Sequence, residues 1–193
     1  MTPAELAAQL RALYEQQDES LRGEFDRSLP FADGLLDRWK RARRLGFAED
    51  ASIYNSALVY GDVTVGRGTW IGPYTVLDGS GGGLSIGPYC SISTGVQIYT
   101  HDTVMWALSG GEQGKKTAPV SIGERTYIGS QSIVAAGTAI GNQCVVAANS
   151  FVNRVVADRT IVGGSPARPL GRVVVEGEDI RLEYARPDPQ NSA

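Results

Sequence analysis

His101 is the only histidine in the 193-residue chain. It lies in the run Ile98-Tyr99-Thr100-His101-Asp102, at the head of a loop that extends to Pro119. An imidazole ordinarily titrates near pH 6.5, so a neutral ring is available at physiological pH to take a proton from a hydroxyl and pass it on. Such a ring needs an orienting partner: Asp102 adjoins it, and Glu112 or a backbone carbonyl could serve instead. Within the loop, Trp106 offers an aromatic face for a sugar or nucleotide, or packs the loop itself.

The elements that must position these residues are set by a six-residue repeat. Ile53, Val59, Val65, Ile71 and Leu77 are six apart, as are Ile86, Ile92 and Ile98, and again Ile122, Ile128, Val134, Ile140, Val146 and Val152. Four residues after each, outside the interruptions, comes a small or slim side chain such as Ala57, Thr69, Cys90, Thr126, Ser132 or Cys144. A fixed short period predicts a solenoid whose coils each bury the same face against their neighbours. Six residues make one short strand and one bend, and three such units close a triangular coil. Cys90 and Cys144 both occupy the slim corner position, so they read as core packing residues rather than nucleophiles.

Grouping the hexads three per coil assigns each to a wall. Ile53, Ile71, Ile92, Ile128 and Val146 share one, Val59, Leu77, Ile98, Val134 and Val152 the next, and Val65, Ile86, Ile122 and Ile140 the third. On that count the three-residue excess between Leu77 and Ile86 leaves the prism at the same corner as the His101 loop, one coil lower. Asp78-Gly79-Ser80-Gly81-Gly82-Gly83 should then lie within about one interstrand spacing, roughly 5 Å, of the base of that loop. The glycine run leads into another hexad and not into a helix, so it reads as a flexible corner insertion rather than a phosphate loop. Asp78 becomes a candidate contact for the acceptor.

At the ends the pattern differs. Thr2 and Glu5 form a capping box, and Leu6, Leu10, Leu13 and Tyr14 continue at helical spacing, with an end expected before Pro30. A second short helix is expected over Gly34–Leu45, its basic cluster complementing the helix dipole. Arg172–Val175 and Ile180–Glu183 flank a polar turn and read as a hairpin, and Pro187–Ala193 reads as a disordered tail. The expected division is therefore 1–50 N-terminal helices, 51–168 β-helix with the projecting loop 99–119, and 169–193 hairpin and tail. A net charge of −3 gives no general attraction to nucleic acid or anionic membrane. Neither a signal peptide nor a spanning segment is evident, which places the chain in the cytoplasm. One histidine and two distant cysteines make a poor metal set, so no metal is expected.

The hexads, the segment Tyr127-Ile128-Gly129-Ser130, and Ile161-Val162-Gly163-Gly164-Ser165-Pro166-Ala167-Arg168 resemble the hexapeptide-repeat acyltransferases. They are similar in particular to the galactoside and maltose O-acetyltransferases and those of surface-polysaccharide synthesis. The resemblance covers roughly residues 51 to 172. It implies a mainly β chain built as a left-handed parallel β-helix of about five triangular coils, with an N-terminal α-helical segment and a short C-terminal hairpin. It also implies a homotrimer with active sites between subunits, acetyl-CoA as acyl donor, and His101 as the catalytic base. Ser130 and Ala148 match positions whose backbone amides contact the pantetheine arm or thioester, and Tyr127 stands where the family usually carries tryptophan. Asn153 and Arg154 match the polar and basic pair near the adenine, and Arg168 a basic residue near the nucleotide phosphates. Asp78, Asp102 and Trp106 are the candidate substrate contacts. Gly72-Pro73-Tyr74-Thr75 replaces the asparagine-rich segment of the simple-sugar enzymes, which argues against galactoside or maltose as acceptor.

The leading expectation is an acetyl-CoA-dependent O-acetyltransferase acting on a sugar or glycan precursor by direct transfer. The alternatives are N-acetylation of an amino-sugar nucleotide and a non-catalytic β-helix scaffold. A hydratase of the carbonic anhydrase type sharing this helix needs three histidines, where this chain has one.

Overall fold

The computed structural model describes residues 1–185, so the expectation of a disordered tail at 187–193 lies outside the described residues. Its centre is a stack of short parallel strands. Along the first wall Ile53, Ile71, Ile92, Ile128 and Val146 pair in register, and Val162 continues the column. Val59, Leu77, Ile98, Val134 and Val152 align on the second wall, and Val65, Ile86, Ile122 and Ile140 on the third, where a bridge to Val156 adds one more step. The wall assignment made from hexad counting therefore holds at every position. The inward aliphatic side chains form one core in which Ile71, Leu77, Ile92, Ile98, Ile128 and Val146 are fully buried. Burying each is worth about 1.5–3 kcal/mol, and the same side chain recurs because each coil presents the same cross-section.

The slim corner residues do more than save space. Thr69 donates its hydroxyl to the Gly87 carbonyl (2.8 Å) and accepts the Cys90 amide (3.0 Å). Thr126 repeats the pattern with the Gly141 carbonyl (2.9 Å) and the Cys144 amide (3.1 Å). Cys90 and Cys144 complete this ladder by donating their thiols to the carbonyls of Gly123 (3.0 Å) and Ala157 (3.1 Å). These four corner residues thus tie their coils to the next and satisfy backbone groups at the bends.

The two ends of the prism carry different elements. Helix α1, Pro3–Phe25, begins with the capping box of Thr2 and Glu5 and buries no residue. The expected helix over Gly34–Leu45 is two: α2, Phe31–Leu35, and α3, Arg38–Arg44, separated where Leu36 turns extended and Asp37 caps the Lys40 amide (2.6 Å). An interior Asp competes with the helix by bonding the backbone ahead of it, which restarts the chain as a new helix. From α3, Arg41 donates to the Tyr54 carbonyl and to the Ala57 carbonyl (2.8 Å), and Ala42 and Phe47 are buried under the first coil. At the other end Thr160–Gly163 pairs antiparallel with Arg168–Glu176, which pairs in turn with Asp179–Tyr184. This hairpin extends the first wall past the last coil. Among the described residues no helix is long and apolar enough to cross a membrane.

Candidate functional site

Both interruptions of the repeat fall between the second and third walls. The lower one differs from its expected form. Rather than a flexible insertion, Val76–Ile86 is one strand of 11 residues that runs round the corner, paired with Leu58–Val65. Absent side chains make the passage possible: a Cβ on Gly79 would meet the Asp62 carbonyl oxygen, and one on Gly81 would meet the Thr100 carbonyl oxygen and the His101 Cβ, at 2.8 Å from the latter. The glycines permit close backbone approach, and the segment is held and not loose.

One coil above, the chain leaves the second wall at Tyr99, which is registered against Asp78. Thr100 is fully buried; its hydroxyl donates to the Asp78 carbonyl (2.8 Å) and accepts the Gly81 amide (2.8 Å). His101 and Asp102 form a short antiparallel pair with Thr117 and Lys116, so the loop's entry and exit brace each other. The Ala118 amide adds a bond to the Thr100 carbonyl (2.9 Å).

These contacts place the imidazole against the lower strand. His101 Nδ1 lies 2.9 Å from the Asp78 Oδ2, and the Ser80 hydroxyl is 3.4 Å from the same nitrogen. The other Asp78 oxygen accepts the Ser80 amide at 2.8 Å. Asp78 is 4% exposed, so its carboxylate faces the ring and not an incoming acceptor. The imidazole itself is 26% exposed. An ionised carboxylate only accepts, so Nδ1 carries the proton in this arrangement and Nε2 keeps its lone pair. The orienting group is therefore neither Asp102 nor Glu112. Asp102 instead accepts the Val104 amide (3.2 Å), at the start of α4, Val104–Leu108. Asp78 was visible in the sequence as a neighbour of the loop, but its partner was not; Ser80 and Thr100 went unmarked.

The remaining candidates are distributed around the prism. Trp106, on α4, is 54% exposed. Tyr127 opens a strand of the first wall with its side chain outward, and Ser130 and Ala148 sit at the corner between the first and second walls, where the Asn149 amide bonds the Ser130 carbonyl (2.9 Å). Asn153 and Arg154 are exposed at the corner of His101, following the highest strand of the second wall. Arg168 is exposed at the top, its guanidinium donating to its neighbour Ala167's carbonyl (3.0 Å). Within one chain, then, Tyr127, Ser130 and Ala148 are one wall away from His101, and Asn153 and Arg154 share its corner. A cleft of about 470 Å³ opens at the foot of the loop, lined by Asp62, Thr64, Gly82, Gly83, Ser85 and Ser121 among others. Among the described residues no three His, Cys, Asp or Glu side chains converge as a metal site requires.

Comparison with known proteins agrees with the repeat. Residues 119–154 match the model of the hexapeptide repeat of succinyl-transferase. Protein CapG of Staphylococcus aureus is 37% identical over 94 residues, 45% of this chain; the chain spans about half (51%) of CapG's length. The carnitine operon protein CaiE of Salmonella agona is 32% identical over 142 residues, covering 71% of this chain and 70% of CaiE. Among solved structures, the hexapeptide-repeat-containing acetyltransferase VCA0836 of Vibrio cholerae O1 biovar eltor, complexed with acetyl coenzyme A, superposes with a TM-score of 0.61 at 29% identity. That match covers 89% of this chain and 90% of VCA0836. Repeat, coil register and relatives agree: the chain belongs to the hexapeptide-repeat acyltransferase family.

Proposed function

We propose that this protein is an acetyl-CoA-dependent O-acetyltransferase that acts on a sugar or glycan precursor, with His101 as general base in a direct transfer. The observation that carries this is the Asp78 carboxylate 2.9 Å from Nδ1. It leaves Nε2 as the basic atom and stabilises the imidazolium that forms when a hydroxyl gives up its proton. A hydroxyl oxygen is a weak nucleophile until its proton is removed, which a carboxylate-backed imidazole can do; an amine acceptor also has to give up a proton, so acceptor pairs decide between the two. Nε2 takes the hydroxyl proton as the oxygen bonds to the thioester carbonyl carbon. The tetrahedral intermediate then collapses with cleavage of the C–S bond, and the imidazolium returns the proton to the departing thiolate.

For the donor, the exposed Arg154 and Arg168 are assigned to the nucleotide end, with Asn153 beside the adenine. Tyr127, Ser130 and Ala148 are assigned to the pantetheine arm. Their separation from His101 by a wall is accommodated if the protein is a homotrimer, in which one subunit's first-to-second-wall corner faces the next subunit's His101. The coil is taken as left-handed, residues 51–168 as the catalytic unit, and the cytoplasm as its compartment, where acetyl-CoA is supplied.

Acetyl-CoA consumption, followed by release of the free thiol, tests the assignment with sugar pairs that differ only in a hydroxyl or an amine at one carbon. Turnover is expected on the hydroxyl member, with His101→Ala losing about 10²- to 10⁴-fold. Turnover confined to the amine would move the assignment to N-acetylation of an amino-sugar nucleotide. Failure to bind acetyl-CoA in calorimetry would leave a scaffold.

A further inference from the structure

Thr100 departs from the ladder pattern of Thr69 and Thr126. At the corner positions, four residues after the core aliphatic, Thr69 and Thr126 bond the carbonyl of the coil above and accept an amide from it. Thr100 stands two residues after Ile98, off that register, and reaches the other way. It donates to the Asp78 carbonyl and accepts from the Gly81 amide, both on the coil below and both at 2.8 Å. Asp78 and Gly81 bracket the point where the Val76–Ile86 strand turns the corner; between them the Ser80 amide fixes one oxygen of the Asp78 carboxylate (2.8 Å) and leaves the other for His101. A single buried hydroxyl thus closes the turn from beneath the residue it adjoins in sequence.

We propose that Thr100 is a positioning residue: its hydroxyl holds the Asp78–Gly81 turn so that the carboxylate meets Nδ1 of His101, and it thereby sets which imidazole nitrogen is free. It rests on the general-base role proposed above for His101. Without the hydroxyl, the Gly81 amide and Asp78 carbonyl lose their shared partner inside the corner, and the turn has to move to recover one. The carboxylate moves with it, and a displacement of this kind near a reacting atom is worth up to about 100-fold in rate.

Because the chain holds one histidine, a long-range ¹H–¹⁵N correlation spectrum of the full-length protein reports on His101 alone. At a pH where the ring is neutral, the wild type and Thr100→Ser are expected to show the Nδ1–H tautomer. Thr100→Val and Thr100→Ala are expected to show a tautomer mixture or the Nε2–H form, as Asp78→Ala should. In acetyl transfer, Val and Ala should lower kcat about 10- to 100-fold with the KM for acetyl-CoA unchanged, and Ser should restore it. A folded Val or Ala variant that keeps a pure Nδ1–H tautomer overturns the proposal, and so does a Ser variant that loses it. The tautomer is read without turnover, so retention of activity in His101→Ala would sink the base assignment while the spectra still decide the clamp.

Discussion

The Asp78 carboxylate meets Nδ1 of His101 at 2.9 Å, although the two residues belong to successive coils and lie where each leaves the paired strands of the second wall. The second Asp78 oxygen is already taken by the Ser80 amide. In Asp78→Asn that amide still needs an acceptor, so the carboxamide oxygen stays with Ser80 and the NH2 turns toward His101. The ring must then accept at Nδ1 and carry its proton on Nε2, where it cannot act as a base. Asp78→Asn is therefore expected to lose at least as much turnover as Asp78→Ala, on the order of 10²-fold or more, despite being the closer isostere. Steady-state kinetics on the two variants checks the order. Asn outperforming Ala would mean that charge or packing, and not tautomer control, is what Asp78 supplies.

Gly81 shows what the corner tolerates. A methyl there would meet the Thr100 carbonyl oxygen and lie 2.8 Å from the His101 Cβ, and neither neighbour is the free end of a flexible chain. Gly81→Ala should cost about 1–3 kcal/mol in urea unfolding, as overpacking does, and should reduce turnover further because the strain falls on the His101 backbone. Gly23→Ala is the control: in α1 a Cβ meets nothing within 4 Å, and the substitution should raise helical content in circular dichroism, by up to about 1 kcal/mol of helix stability.

How far the sequence reveals such a site depends on the range of the forces involved. The columns from Ile53 to Val146 and from Val59 to Val152 were countable because one aliphatic residue every six is a local pattern that the coil repeats. The corner shared by both interruptions came from the same count. The break of the expected Gly34–Leu45 helix turns on one bond, donated by the Lys40 amide to the Asp37 side chain, which competes with helix propensity on nearly equal terms. The site was harder still. That Asp78 would face His101 depends on Thr100 and Gly81 drawing two strands together, and neither residue type announces a role alone. The glycine run read as looseness, because absence of side chains signals freedom or close approach equally, and only the neighbouring coil decides between them.

Trp106 separates stability from recognition. Its ring is more than half exposed on α4, so Trp106→Ala should change the free energy of unfolding by no more than about 0.5 kcal/mol. If the indole stacks on the acceptor, KM for that acceptor should rise by about 2- to 12-fold, the equivalent of 0.5–1.5 kcal/mol, with the acetyl-CoA KM unchanged. A large stability loss with unaltered KM would assign the ring to holding the loop.

The two cysteines make the final test, because they hold ladder positions that threonine fills elsewhere. Each thiol donates to a carbonyl of the next coil, at 3.0 Å for Cys90 and 3.1 Å for Cys144. Cys90→Thr and Cys144→Thr keep a donor of similar reach and should unfold close to wild type, while the valine variants remove the donor of a partly buried bond and should cost about 0.5–1.5 kcal/mol. Burial pushes both thiols up from their ordinary value of 9.0, with burial the largest cause in each case. The unfolded chain therefore loses these protons first. Their contribution is whole below about pH 9 and is lost as pH rises through the higher folded values, because the folded state binds the protons more tightly. Urea midpoints at about pH 8 and about pH 10 should fall less in the double threonine variant than in wild type, since tyrosines and lysines titrate equally in both. An equal fall would show that the thiols ionise as freely in the folded corner as in water.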